Sequence, residues 1–197
     1  MRVARVLYPV HSLGPGERIV IWVQGCDRRC DGCANPELWD KNKVIDIPLS
    51  FLIGMVRSAI KNYKLTGITI TGGEPFLQSK ELSTLLKSIN DICSDILVFS
   101  GYTYQQLVYS QDKDIHDFLN GISVLIDGPY LKEKNLSEKL RGSRNQNMLF
   151  LDPKIKDQYN EYIHNKHEKR FEQFFAEDGI ISVGIHPPDY EAWLENN

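Results

Sequence analysis

The sequence is short of cysteine, with four in 197 residues, and it has no surplus of either charge, 23 Lys and Arg standing against 26 Asp and Glu. Four cysteines are too few for a disulfide-stapled scaffold, and a chain this long buries a sizeable core without staples. The formal net charge of −3 argues against nucleic-acid binding by bulk charge. No apolar run approaches the ~20 residues of a membrane-spanning helix. Met1-Arg2-Val3-Ala4-Arg5 lacks the apolar stretch of a secretory signal. Internal repeats and low-complexity segments are also missing. The composition, 42% hydrophobic and 25% charged, excludes a disordered or fibrous chain. Together these absences predict a soluble cytoplasmic protein with reduced thiols, where clustered cysteines serve metal or catalysis more often than cross-links.

What is present is an alternation of strands and helices. Ile19 to Val23, Ile68 to Ile70, Ile96 to Phe99 and Ile122 to Ile126 are nearly continuous apolar runs, which is how strands buried on both faces read. Helical spacing separates them. Leu52, Met55, Val56, Ala59 and Ile60 follow start signals at Pro48 and Ser50. Leu82, Leu85, Leu86, Ile89 and Cys93 follow a candidate cap at Ser79, and a third stretch from Tyr104 to Leu119 is interrupted at Ser110 to Lys113. This pattern predicts parallel βαβ units, whose right-handed crossovers place every strand's C-terminal end on one side of the sheet. Val3 to Tyr8 and the Gly14-Pro15-Gly16 turn suggest a lead-in strand or hairpin. Residues 128 to 148 read as a loop. From Lys154 to about Glu177, apolar spacing at Tyr159, Ile163, Phe171 and Phe174 predicts an exposed helix, and Ile180 to Ile185 a last strand ended by Pro187-Pro188.

The sharpest feature is Cys26-Asp27-Arg28-Arg29-Cys30-Asp31-Gly32-Cys33, a C-x3-C-x2-C spacing directly after a predicted strand. A disulfide would leave one thiol over. A structural zinc ion needs four ligands, and His11 would have to complete the set. Cys93 belongs to an apolar helical stripe and reads as a core thiol. A 4Fe–4S cluster held by three thiolates leaves one iron open, which is how a metal site keeps a position for substrate. Thr71-Gly72-Gly73-Glu74-Pro75 ends the next strand on the same edge. Its glycines permit close backbone approach, and its acid can accept hydrogen bonds from an ammonium group. Ser100 and Asp127 end the third and fourth strands, where parallel α/β sheets place ligands. They are candidates for the ribose or carboxylate of a cofactor, with loop capping the competing reading.

The pair of motifs resembles the radical S-adenosylmethionine superfamily. Gly14-Pro15-Gly16, Gln24-Gly25-Cys26, Phe99-Ser100-Gly101-Tyr102, Val124 to Tyr130 and Leu140 to Gln146 resemble the activating enzymes of anaerobic ribonucleotide reductase. That resemblance implies one 4Fe–4S cluster on Cys26, Cys30 and Cys33, and S-adenosylmethionine bound by its amino and carboxylate groups at the open iron. Gly72, Gly73 and Glu74 would meet the methionine ammonium, and backbone at Gly32, Cys33 and Ala34 would lie near the adenine. Many members carry an aromatic residue where this chain has Gly32, so adenine packing would fall to Tyr102 or Trp39. The implied chemistry is reductive cleavage to a 5′-deoxyadenosyl radical, which takes a hydrogen atom from a glycine of a large reductase. The implied electron donor is a flavodoxin or ferredoxin. No Ser/His/Asp or carboxylate pair competes, and this chemistry needs none.

The expected fold is an α/β chain forming an incomplete parallel barrel of about five or six strands, open on one side, with the site at the C-terminal strand ends. Residues 1–151 would form the core and 152–197 a C-terminal extension, a helix and a last strand packed on it. Arg28 and Arg29 read as exposed loop charges or a docking point for an acidic donor, and Arg141 to Gln146 as a partner-facing stretch by resemblance. His164, His167 and His186 read as surface or packing residues, and His164 to Arg170 as a solvated helix face. Two alternatives stay open: the same radical chemistry directed at a peptide or small metabolite, and a zinc-stabilised binding module.

Overall fold

A computed structural model describes residues 1–43, 46–135, 138–165, 171–176 and 179–187. Among these residues eight strands and five α-helices follow in chain order: β1 (Val3–Val10), β2 (Arg18–Val23), α1 (Leu49–Tyr63), β3 (Gly67–Gly72), α2 (Ser79–Lys87), β4 (Ile96–Phe99), α3 (Tyr104–Val108), α4 (Lys113–Leu119), β5 (Val124–Asp127), β6 (Asn147–Phe150), α5 (Lys156–His164), β7 (Phe171–Ala176) and β8 (Gly179–Gly184). The first six strands form one mixed sheet in sequence order, and β7 and β8 pair as a separate hairpin. Strands β2 to β5 are mutually parallel, as the alternation with helices requires.

The two edge strands depart from an all-parallel sheet. β1 returns antiparallel to β2 through the Gly14-Pro15-Gly16 turn, and β6 lies antiparallel to β5. β6 starts within the end of the stretch read as a loop and runs past it, unmarked in the sequence because four residues of which only Met148, Leu149 and Phe150 are apolar give too short a pattern to register. The expected long helix from Lys154 to Glu177 is also corrected. α5 stops at His164, and Phe171 and Phe174 lie on β7, where alternation rather than helical period sets their faces. Ser79 is the first residue of α2 rather than its cap, and its hydroxyl donates to the Phe76 carbonyl at 2.7 Å. His167, the basic run from 166 to Arg170, and Pro188 lie outside the described residues.

The apolar strands are continuous because both faces of the sheet are covered. Ile19, Ile21, Val23, Ile68, Ile70, Val98 and Leu125 meet Leu52, Val56, Leu82, Leu85 and Phe118 from α1, α2 and α4. On the other face, Val20 and Trp22 pack with Leu38 and Val183, and Leu97, Val124 and Ile126 pack with Leu140, Tyr159 and Tyr162. The segment after Asp152 therefore supplies part of the second core layer, through α5 and β8. Cys93 is buried in the first.

A wholly buried ion pair ties the N-terminal strand ends together. Arg18 Nη1 donates to Asp95 Oδ2 at 2.6 Å and Nη2 to Oδ1 at 3.1 Å, a two-pronged contact. Its remaining donors reach Thr69 Oγ1, the Ile68 carbonyl and the Pro15 carbonyl. Tyr159 of α5 donates its hydroxyl to Asp95 Oδ1 at 2.7 Å, so the second layer is tied to the same carboxylate. A buried pair contributes little net stability when complete, but removing one partner strands the other charge. Asp95→Ala is expected to lower the unfolding free energy by about 3–5 kcal/mol. Urea denaturation checks this, and a loss under about 1 kcal/mol would contradict the role given to the pair.

Candidate active site

The four parallel strands end side by side, and the residue after each end is a glycine or is followed within two residues by one. The cysteine loop leaves β2, Gly73-Glu74-Pro75 leaves β3, Ser100-Gly101-Tyr102 leaves β4, and Gly128-Pro129-Tyr130 leaves β5. These turns surround a cavity of about 640 Å3. Cys26, Cys30, Cys33, Gly32, Ala34, Gly72, Gly73, Glu74 and Ser100 all line it, so nearly every residue singled out from the sequence converges on one space. Asp127 does not join them. One of its oxygens accepts from the Tyr104 amide and the other from the Asn147 amide and side chain, and it is not among the lining residues.

The two motifs are sewn together by backbone. The Gly73 amide donates to the Val23 carbonyl and the Glu74 amide to the Gly25 carbonyl, both at 2.8 Å. This approach leaves no room for side chains. A Cβ on Gly72, whose φ is +103°, would lie 2.7 Å from the Val23 backbone, and one on Gly73 would run into the Gly25 carbonyl oxygen. The Glu74 carboxylate then binds the next strand end, accepting from Ser100 Oγ at 2.9 Å and the Gly101 amide at 2.7 Å, and from Phe76 in its own turn. It is 1% exposed. Its oxygens tie the end of β3 to the end of β4, so what the Gly-Gly-Glu turn itself presents to a ligand is largely backbone.

The three loop cysteines are free and half-buried. Burial pushes the Cys26 and Cys30 thiols up, opposed by backbone N–H groups of Arg28 and Arg29 at Cys26 and of Tyr130 at Cys30. The Asn35 amide approaches Cys33 Sγ at 3.4 Å. Such N–H···S contacts are among the levers that set the potential of an iron–sulfur centre. Among the described residues, no three His, Cys, Asp or Glu side chains converge on a single metal ion. A cubane cluster takes one thiolate per iron and needs no such convergence, so three loop thiols fit a 4Fe–4S cluster that keeps one iron open. His11, the only proposed fourth zinc ligand, is paired instead with Glu172 through Nδ1 at 3.0 Å.

Other expectations are relocated. Tyr102 and Trp39 are not lining residues. Tyr102 donates its hydroxyl to Asp27 at 2.5 Å, and the Arg28 guanidinium lies 4.2 Å from its ring centre. Burial and that bond push its hydroxyl up to about 12. The loop-charge reading of Arg28 gives way to a stacked position at the cavity wall. Arg141 to Gln146 fold inward at their end: Gln146 accepts from the Gly142 and Ser143 amides and donates to the Gly128 carbonyl. His186, read as a surface or packing residue, lines the cavity with Ser182, Gly184, Ile185 and Pro187. No spacing in the sequence signals this, because the hairpin reaches the site only through tertiary packing.

Gly73→Ala is expected to lose most of the iron bound per chain after anaerobic reconstitution, since the added methyl displaces the strand end that precedes Cys26. Iron analysis checks it, and wild-type loading would refute it. Burial also pushes the Glu74 carboxyl from 4.5 up to about 7, against the hydrogen bonds from Phe76, Gly101 and Ser100. A carboxyl raised on folding stabilises the fold fully below its free value and loses that contribution as pH climbs through the folded value. Unfolding free energy is expected to decline between pH 4.5 and about 7, and Glu74→Gln to lose that part of the slope. Identical pH profiles for the two proteins would contradict it.

Residues 12–149 match the family described as the 4Fe-4S single cluster domain. The chain is 32% identical over 149 residues to the anaerobic ribonucleoside-triphosphate reductase-activating protein of Enterobacteria phage T4, covering 72% of this chain and 90% of that one. Its namesake in Escherichia coli K12 is 32% identical over 151 residues, 71% of this chain and 92% of that one. The pyruvate formate-lyase-activating enzyme of Staphylococcus epidermidis is 31% identical over 90 residues, 42% of this chain and 36% of that enzyme. With three free thiols and the Gly-Gly-Glu turn on one cavity, and two activating proteins matched over nine-tenths of their own length, the chain belongs to the 4Fe-4S single cluster domain family, within the radical S-adenosylmethionine activases of glycyl-radical enzymes.

Proposed function

We propose that this protein generates the glycyl radical of an anaerobic ribonucleoside-triphosphate reductase by taking a hydrogen atom from one backbone glycine. The observation that carries the reading is the convergence of Cys26, Cys30 and Cys33 with Gly72 and Gly73 on a single cavity at the parallel strand ends. Cys26, Cys30 and Cys33 would hold the cluster, one thiolate to an iron, with no fourth cysteine near to close the set. When bound, the cluster and S-adenosylmethionine supply one-electron reductive cleavage and a carbon radical. The protein supplies binding, orientation and exclusion of water.

Each residue's part follows from its placement. The carbonyls of Gly72 and Gly73 would accept from the methionine ammonium, while Glu74 holds the turn against Gly25 and Gly101. Gly32 to Ala34 form the wall meant for adenine, and Ser100, although hydrogen-bonded to Glu74, stands at the edge for the ribose. Asp127 would act by fixing the turns after β4 and β5. The six-stranded sheet we read as an incomplete barrel open on one side, with residues 1–151 as the core and 152–197 as an extension. An open side admits a folded glycine loop from a partner. A flavodoxin- or ferredoxin-type donor in the cytoplasm would supply the electron, in keeping with free thiols and with the absence, among the described residues, of a helix able to cross a membrane.

Anaerobic reconstitution should yield a brown protein with about four irons per chain. Reduced with S-adenosylmethionine, it should release 5′-deoxyadenosine and produce a glycyl-radical signal on the reductase by electron paramagnetic resonance. Cys30→Ala should abolish both. A colourless protein that binds one zinc ion and cleaves nothing would sink the proposal.

A further inference from the structure

The cavity must accept a glycine, and a glycine offers no side chain to grip. Recognition of the protein that carries it has to come from the surface around the cavity mouth. One element of that surface lies beyond residues 12–149, the span of the family match. β8 runs into the cavity: Ser182 and Gly184 line it, with His186 just after. Ser182 Oγ is 2.7 Å from His186 Nε2.

The hairpin has two faces. Its register opposes Phe171 to Gly184, Gln173 to Ser182 and Phe175 to Ile180, so all six point to one side. The other side carries Phe174, Ile181 and Val183 and packs on Val10, Leu13, Val20 and Trp22. The first side thus runs from the cavity lining at Ser182 and Gly184 to a cross-strand apolar pair that is strongly exposed, Phe175 at 90% and Ile180 at 59%. Ile180 and Gly184 are separated by about 13 Å of strand at about 3.3 Å per residue. That distance lies within the footprint of one ordinary interface, about 800 Å2 per partner.

The hairpin is also held firmly. Glu172 accepts from the His11 amide at 2.6 Å, the Ser12 amide at 2.8 Å and the His11 ring, and Ser12 Oγ donates to the Val183 carbonyl at 2.9 Å. An aromatic and a branched side chain displayed on a fixed hairpin lose little conformational freedom on binding, which is what an interface anchor requires.

We propose that the outward face of β7–β8 is the docking surface for the glycine-bearing protein substrate. Phe175 and Ile180 seat in an apolar depression of that protein, and Ser182 and His186 at the rim meet the backbone flanking its glycine. The inference rests on the activase reading and adds to it the element that selects the partner.

The test uses reconstituted holoprotein and the catalytic subunit of the anaerobic ribonucleoside-triphosphate reductase from the same organism, with anaerobic calorimetry for binding and electron paramagnetic resonance for the radical. Phe175→Asp and Ile180→Lys are expected to raise Kd about tenfold or more, the range of an interface anchor, with iron content and circular dichroism unchanged. Phe51→Asp, at another exposed aromatic on α1, should bind as wild type does. If all four proteins bind with one Kd, the docking proposal is overturned and the activase reading stands. If wild-type protein releases 5′-deoxyadenosine yet neither binds the reductase nor marks its glycine, the activase reading fails and the docking surface with it. If sedimentation shows a dimer that Phe175→Asp dissociates while reductase binding is untouched, the face pairs two copies of this chain and the proposal is wrong.

Discussion

The site depends on how closely the end of β3 approaches the end of β2. Gly73 and Glu74 donate backbone hydrogen bonds to Val23 and Gly25, and the carbonyl of Gly25 is the last acceptor before the cysteine loop begins. Contact at this range is possible only where the β3 end lacks a Cβ, at Gly72 against Val23 and at Gly73 against Gly25, while Gly25 itself is required by its φ of +100°. The cysteine loop is thereby held at its root by main chain. Glu74 extends the tie to β4 through Ser100 and Gly101. A carboxylate that accepts three hydrogen bonds in a dry place acts as a fixed joint, since any shift would leave buried donors unmet.

The opposite end of the sheet is organised by charge rather than by close approach. Arg18 begins β2 and Asp95 precedes β4, and their pairing spans β3 by way of Thr69 and Ile68. Every donor of the guanidinium is satisfied, which is the condition under which a buried pair is tolerated. Tyr159 brings α5 onto the same carboxylate. One end of the parallel strands is thus locked, and the other is left to open turns whose backbone faces a cavity. Parallel α/β sheets place chemistry at their C-terminal ends for this reason: that is where loops can vary without disturbing strand pairing.

The second face of the sheet explains how a segment outside the family match comes to bear on the site. Val20, Trp22, Leu97, Val124 and Ile126 point away from the helices α1, α2 and α4 and need cover. Tyr159, Tyr162 and Val183 provide part of it. Once Val183 is buried there, strand alternation turns Ser182 and Gly184 outward to the cavity mouth. Core packing and access to the site are set by alternate residues of one strand.

Much of this was legible in the sequence. The C-x3-C-x2-C loop and the Gly-Gly-Glu turn are local, and they fall after strands whose unbroken hydrophobicity announces burial on both faces, so the sheet edge on which they meet follows from pattern alone. Less local facts were not legible. The role of Glu74 as a joint depends on Ser100 and Gly101, and the satisfaction of Asp127 by Tyr104 and Asn147 depends on a turn and on a strand too short to show a period. The stretch around Phe171 and Phe174 fits helical spacing and strand alternation alike, and pairing with β8 decided between them. The sequence by itself determined where the C-x3-C-x2-C loop and the Gly-Gly-Glu turn stand relative to the buried strands, because ligand spacing and chain turns are properties of neighbours. Only the tertiary structure decided that the Ser182–His186 pair stands at the cavity, because hydrophobic cover for the far face of the sheet can be drawn from any distance along the chain.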